Sequence, residues 1–152
     1  MRSLVTVAPA GLEAARLSAR TLAASLPWLL RLTPVHSRRL LSAMCGGPRL
    51  GDTVDDQDRL VEWLTLVARP SLAPRPLPGP VLTGWRSTPR QVLVGDRDPF
   101  FPPHRLDGPA ARLLRTPLTV LPECGHLASH QAPDAIALAV DQACSADEPT
   151  VE

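Results

Sequence analysis

The chain of 152 residues has no lysine, no tyrosine, only two phenylalanines and only three cysteines. All of its basic side chains are therefore arginine, 16 of them against 15 acidic side chains, for a formal net charge of +1. With no excess of one sign there is no electrostatic footprint for nucleic acid or an anionic membrane, and neither is expected as a partner. Cys45, Cys124 and Cys144 are odd in number and follow no framework spacing, which argues against a disulfide-stapled secreted domain. Three unpaired thiols point instead to the reducing cytoplasm. Long apolar runs are missing as well. The opening MRSLVTVAPAGLEAAR has too short an apolar stretch for a signal peptide and soon reaches Glu13. The stretch from Leu22 to Leu32 is interrupted by Pro27 and Arg31 and is too short to cross a bilayer.

What is present is a soluble composition, 44% hydrophobic and 20% charged, in a length suited to one domain with a modest core. The 18 prolines restrict where elements can lie. Leu4 to Ala8 is a β-branched run that predicts a buried strand, closed by Pro9 and Gly11. Leu12, Ala15, Ala19, Leu22 and Leu26 share a helical stripe, and Pro27 ends or kinks that helix. A short helix is predicted from Ser37 to Met44, with Ser37 as N-cap and Gly46 as the stop. The next runs from Thr53 to Arg69, with Asp55, Asp56 and Asp58 complementing the dipole at its start. Its predicted apolar face is Leu60, Trp63, Leu64 and Val67, and Pro70 closes it. Residues 70–89 carry Pro70, Pro74, Pro76, Pro78, Pro80 and Pro89, which predicts a stiff connection and no core element.

Beyond that connection the pattern alternates. Gln91 to Gly95 predicts a strand, residues around Ala110 to Leu114 a short helix, Leu118 to Leu121 a strand, and Pro133 to Cys144 a helix. Residues 147–152 read as a disordered tail. Such alternation implies a parallel α/β sheet of about three strands with right-handed crossovers. Functional groups in such sheets gather at the carboxyl ends of the strands. Asp98 and His126 each lie just past a predicted strand end, so both should emerge on one edge.

Two segments resemble a known family. QVLVGDRDPFFPP resembles the strand and loop that deliver the acid in α/β-hydrolases. LTVLPECGHLASHQAPDAIA resembles their last strand, Gly-His turn and final helix. RSLVTVAPAG is similar to the strand after the nucleophile-bearing helix, and the helices that follow resemble the cap, or lid. The likeness is strongest over 91–103 and 118–136 and loose in the cap. It implies a partial α/β-hydrolase fold: a first strand and turn over 1–11, a helical cap and Pro-rich connection over 12–89, and an α/β core over 90–146. By this resemblance Asp98 is the orienting acid and His126 the general base and acid, in the family's chain order. The carboxylate would fix the imidazole tautomer and stabilise the imidazolium. Asp96 remains open as the competing carboxylate, its plainer reading being a loop acid bonded to nearby amides. The implied activity is hydrolysis of a small apolar ester or related carbonyl compound, with no cofactor and no metal. Trp28, Phe100 and Leu127 are candidate pocket residues. Trp63 and Phe101 could join them or pack the cap onto the sheet.

The family's nucleophile elbow, Gly-x-Ser-x-Gly, does not occur in the sequence. The expectation is therefore a truncated or split hydrolase that has little activity alone. The rival is a catalytically inactive remnant that binds a ligand or complements an N-terminal half through an exposed strand edge, an edge that also invites self-association. Two sharper alternatives stand beside these. Ala43-Met44-Cys45-Gly46-Gly47 is a loose elbow with Cys45 as nucleophile, although no convincing strand precedes it and a helix end is the plainer reading. Cys124, His126 and His130, with Asp98, contain zinc-ligand types, although Cys-x-His is not an established pairing. His36 and His104 read as solvent-facing.

Overall fold

A computed structural model describes residues 3–16, 18–47, 53–67 and 75–145. Three parallel strands form one sheet in the order β1 (Leu4–Val7), β2 (Arg90–Gly95) and β3 (Leu118–Leu121). Leu4 pairs with Arg90 and Val7 with Leu93, while Val92 pairs with Leu118 and Gly95 with Leu121. The mixed α/β architecture with a three-stranded parallel sheet is the one the alternation predicts.

β2 is the central strand, and its side chains alternate between two cores. Val92 and Val94 point to a cluster with Leu12, Leu82, Phe101, Leu106, Ala110 and Leu114. Leu93 points to the opposite cluster with Leu121, Cys124, Ala128 and Ala139. β1 was expected to be buried but is only partly so along its whole length. It is an edge strand among the described residues, so one side of its ladder is not covered by another strand.

A separate cluster is built by three helices, α1 (Ala19–Leu30), α2 (Pro34–Met44) and α3 (Val54–Val67). Its centre is Ala24, Trp28, Leu40, Leu41, Cys45, Val61 and Leu64. Here the predicted boundaries and faces need correction. α1 does not start at Leu12: Ser18 caps it by accepting the Thr21 N–H at 3.1 Å. Leu12 packs under the sheet instead. The buried face of α1 is Thr21, Ala24 and Trp28, which leaves Leu22 and Leu26 exposed. Pro27 lies inside α1, and the helix runs three residues past it.

α2 begins earlier than predicted. Thr33 is its N-cap and Pro34 fills the first turn, where a missing N–H costs nothing. Ser37 is fully buried and its hydroxyl bonds that of Thr65 at 2.7 Å, so it ties α2 to α3 and caps nothing. α2 stops where Gly46 takes a positive φ of 70°. Thr53 caps α3 by accepting the Asp56 N–H at 3.1 Å. Its buried residues are Val61 and Leu64; of the expected face Leu64 is buried and Leu60 packs partly against the cluster, while Trp63 is half exposed. Arg69, Pro70 and the tail at 147–152 lie outside the described residues.

The Pro-rich connection also holds structure. Pro78, Gly79 and Pro80 start a short helix, α4 (Gly79–Thr83), continued by a 3-10 turn at Gly84–Ser87. Its Leu82 is buried in the sheet core, so this stretch contributes to the core after all. The helix expected near Ala110 begins at Pro103: α5 (Pro103–Pro109) widens into a π turn at Ala110–Leu114. A single turn, α6 (Ala128–Gln131), precedes α7 (Pro133–Ser145).

Candidate active site

Two loops leave neighbouring parallel strands at their carboxyl ends, one from β2 and one from β3. They are tied to each other close to the sheet. Asp96 N–H donates to Leu121 O at 3.0 Å, Arg97 N–H to Cys124 O at 2.9 Å, and Cys124 N–H to Asp96 Oδ1 at 3.1 Å. Asp96 is thus the fastener of the two loops, bonded to a backbone amide, and lies exposed. Of the two carboxylates, Asp98 is the one that reaches His126.

The segment Asp98-Pro99-Phe100-Phe101 is a tight turn with residue types suited to it: Pro presets φ, and Asp accepts from amides ahead of it. Phe100 N–H and Phe101 N–H donate to Asp98 Oδ1 at 2.8 and 2.9 Å. The other oxygen, Oδ2, lies 2.9 Å from His126 Nδ1. The Asp98 side chain has no solvent exposure, whereas that of His126 keeps 25%. A buried carboxylate needs such partners to offset its lost hydration. In the neutral imidazole that donates from Nδ1 to a carboxylate oxygen, Nε2 is the acceptor nitrogen. Two aromatic rings hold the imidazole: Phe100 meets it edge-on at 4.8 Å and Phe101 at 5.7 Å.

The histidine turn is fixed from the other side by α2. His126 N–H donates to Met44 O at 2.7 Å. Gly125 N–H donates to Gln131 Oε1 at 2.7 Å, and Gln131 Nε2 donates to Cys45 O at 3.1 Å. A side chain at 125 has no room, because a Cβ there would overlap the Met44 carbonyl and the Cys45 backbone. This close approach, more than a turn requirement, explains glycine before the histidine. Gln131 did not stand out in the sequence, and the end of α2 did so only as a loose elbow around Cys45 or a helix stop at Gly46. A polar residue five positions past a histidine carries no pattern of its own.

The remaining candidates are spread more widely. Phe100 sits on the histidine ring, as described. Leu127 packs against the three-helix cluster and lines a cleft of about 470 Å³ with Asp56, Arg59, Leu60, Trp63 and His130. Trp28 is buried inside the helical cluster, and its indole N–H has no hydrogen-bond partner. Cys45 is the residue that ends α2, with no strand leading into it. It is 1% exposed, and burial pushes its thiol up to about 11. A thiol held neutral in this way is a poor nucleophile. Burial, with Asp96 and Glu123 nearby, also raises the Cys124 thiol against a smaller opposing pull from Arg97. Among the described residues no three His, Cys, Asp or Glu side chains converge as a metal site requires, so Cys124, His126 and His130 do not form one. His104 is exposed, and His36 bonds Arg31 O at 2.9 Å through Nδ1.

Comparison with known proteins bears on this geometry. The sequence model described as the Alpha/beta hydrolase family matches residues 1–140. The chain belongs to the α/β-hydrolase family. Solved hydrolases share the fold of this member. A thermophilic esterase from Thermogutta terrifontis is 18% identical with a TM-score of 0.67, over 97% of this chain and 57% of that one. A 2-hydroxy-6-oxo-6-phenylhexa-2,4-dienoate hydrolase from Rhodococcus sp. strain RHA1 is 17% identical with a TM-score of 0.62, over 95% and 55%. Naproxen esterase from Bacillus subtilis is 15% identical with a TM-score of 0.64, over 93% and 50%. The α/β-hydrolase chain thus spans little more than half the length of these structures. A search of curated protein sequences finds no match. Among the described residues no helix is long and apolar enough to cross a membrane.

Proposed function

We propose that this chain is the acid-and-histidine part of an esterase-type α/β-hydrolase. The observation that carries it is the 2.9 Å contact between His126 Nδ1 and the buried Asp98, at the carboxyl ends of two adjacent parallel strands. In this reading His126 Nε2 takes the proton of a nucleophile hydroxyl as that oxygen attacks the substrate carbonyl. The imidazolium then returns the proton to the leaving alkoxide, and a water hydrolyses the acyl-enzyme by the same route. Asp98 stabilises the transient positive charge and holds the tautomer. This reading requires a nucleophile and oxyanion donors from a Gly-x-Ser-x-Gly segment, a motif that these 152 residues do not contain.

Helices α1–α3 act as the cap, and Trp28 is a strut within it. The apolar part of the substrate lies against Phe100 and in the cleft of Leu60, Trp63 and Leu127. The esterase names of two similar structures support an ester as substrate. The three free thiols support a cytoplasmic site of action.

The second reading, an inactive binding module or the complementing half of a split enzyme, draws on the outer edge of β1, which faces no strand among the described residues. That edge is the surface for a second segment or for self-association. Turnover of p-nitrophenyl acetate and butyrate separates the readings. The chain alone should give none above background. Joined to a segment bearing Gly-x-Ser-x-Gly ahead of β1, it should turn over ester, and His126→Ala should lower kcat about 10³-fold or more. An active joined protein indifferent to His126→Ala would overturn the proposal.

A further inference from the structure

We infer that Gln131 is a positioning residue for His126, clamping the Gly125–His126 turn to the carboxyl end of α2. The inference rests on the reading of His126 as general base. Its basis is a chain of three hydrogen bonds. Gly125 N–H donates to Gln131 Oε1, Gln131 Nε2 donates to Cys45 O, and His126 N–H donates to Met44 O. Two consecutive amides of the turn are thereby joined to two consecutive carbonyls of α2.

Those carbonyls belong to the last turn of a helix, where no intrahelical donor reaches them. The orientation of the Gln131 amide is forced by its partners. A backbone N–H can face only its oxygen, and a backbone carbonyl only its nitrogen. No other uncharged side chain of similar length supplies a donor and an acceptor at one tip. α6 is the element that makes this possible, because its single turn carries residue 131 back over residue 125.

The consequence for the ring is specific. Asp98 fixes the imidazole at Nδ1, but it does not fix the backbone from which the ring hangs. Gln131 does that beside the direct His126 N–H bond to Met44 O, and both act through the end of α2, so the helical layer and the histidine turn share one reference point. A looser turn would let the ring swing about the Asp98 contact and displace Nε2.

The test uses the full chain, labelled with ¹⁵N and ¹³C, with Gln131→Met and Gln131→Glu. Gln131→Met keeps the length and removes both bonds. Gln131→Glu keeps the acceptor for Gly125 N–H and removes the donor to Cys45. In Gln131→Met, amide exchange at Gly125 and His126 should quicken at least tenfold, and the His126 ring resonances should shift or broaden. Amides of Val92 to Val94 in β2 should keep their protection. Gln131→Glu should restore slow exchange at Gly125, and it carries the test alone if Gln131→Met does not fold. Wild-type exchange and ring resonances in Gln131→Met would overturn the inference. So would equal loss of protection in the turn and in β2, or a folded Gln131→Glu with Gly125 unprotected. These readouts need no turnover, so an inactive joined enzyme would sink the proposed function and leave this result standing.

Discussion

Raising the pH from about 8 to about 11 should destabilise this protein through its buried thiols, and the composition makes the experiment clean. There is no lysine or tyrosine to titrate in that range, and arginine keeps its charge above it. The Cys45 thiol goes from 9.0 to about 11 in the fold, driven by burial. The raised value means that the folded state holds its proton after the unfolded chain has lost it. Stability from this group is full below about 9, is lost as the pH climbs, and is gone above about 11. Each unit costs about 1.4 kcal/mol, so the full window costs about 2–3 kcal/mol, a large share of a small domain's stability. Cys124 is raised too and adds in the same direction. Urea unfolding at half-unit pH steps, followed by the fluorescence of Trp28, Trp63 and Trp85, measures the loss. Cys45→Ala should flatten most of the slope, whatever it costs at pH 8. A flat profile in the wild type, or the same slope in Cys45→Ala, would refute the burial account of this thiol.

Other perturbations follow from the same geometry. Asp98→Ala leaves the Phe100 and Phe101 amides and His126 Nδ1 without their acceptor and should cost about 3–5 kcal/mol in urea unfolding; a loss under about 1 kcal/mol would contradict the buried network. Gly125→Ala forces a methyl into the α2 backbone and should cost about 3 kcal/mol or more, read as a lower Tm or loss of soluble protein. A thiol reagent at neutral pH should modify exposed Cys144 quickly, and Cys45 and Cys124 only at the rate of unfolding; fast reaction of all three would refute their burial.

The parallel core could be read from the sequence because its strands are short apolar runs bounded by turn residues. Leu118 to Leu121 matches its predicted bounds, and Gln91 to Gly95 gains only Arg90. Asp98 and His126 were legible because two segments resemble the acid and histidine loops of α/β-hydrolases, and their places just past strand ends on a parallel sheet agree with that resemblance. The helical layer was harder to read. Leu22 and Leu26 look like a core face by periodicity, yet the side presented to α2 is Thr21, Ala24 and Trp28. That side mixes a hydroxyl, a methyl and an indole, so no run of large apolar residues announces it. Ser37 has the residue type of a cap but serves as a buried bridge to Thr65. Leu82 sits in a short apolar pair with Val81 between prolines and gives no periodic signal, although it belongs to the core. Gln131 is defined only by partners 6 and 86 positions away.

The pairing of Leu4 with Arg90 and of Val92 with Leu118 also sets an order of assembly. Closing the longer span costs about 1 kcal/mol more chain entropy than closing the shorter one. The helical crossover from β2 to β3 should therefore close first, bringing Asp98 toward His126 early. β1 docks late, after the helical excursion has folded back on itself. That order would show on refolding as slower recovery of amide protection in the β1 ladder than in the β2–β3 ladder, with the acid–imidazole contact already formed.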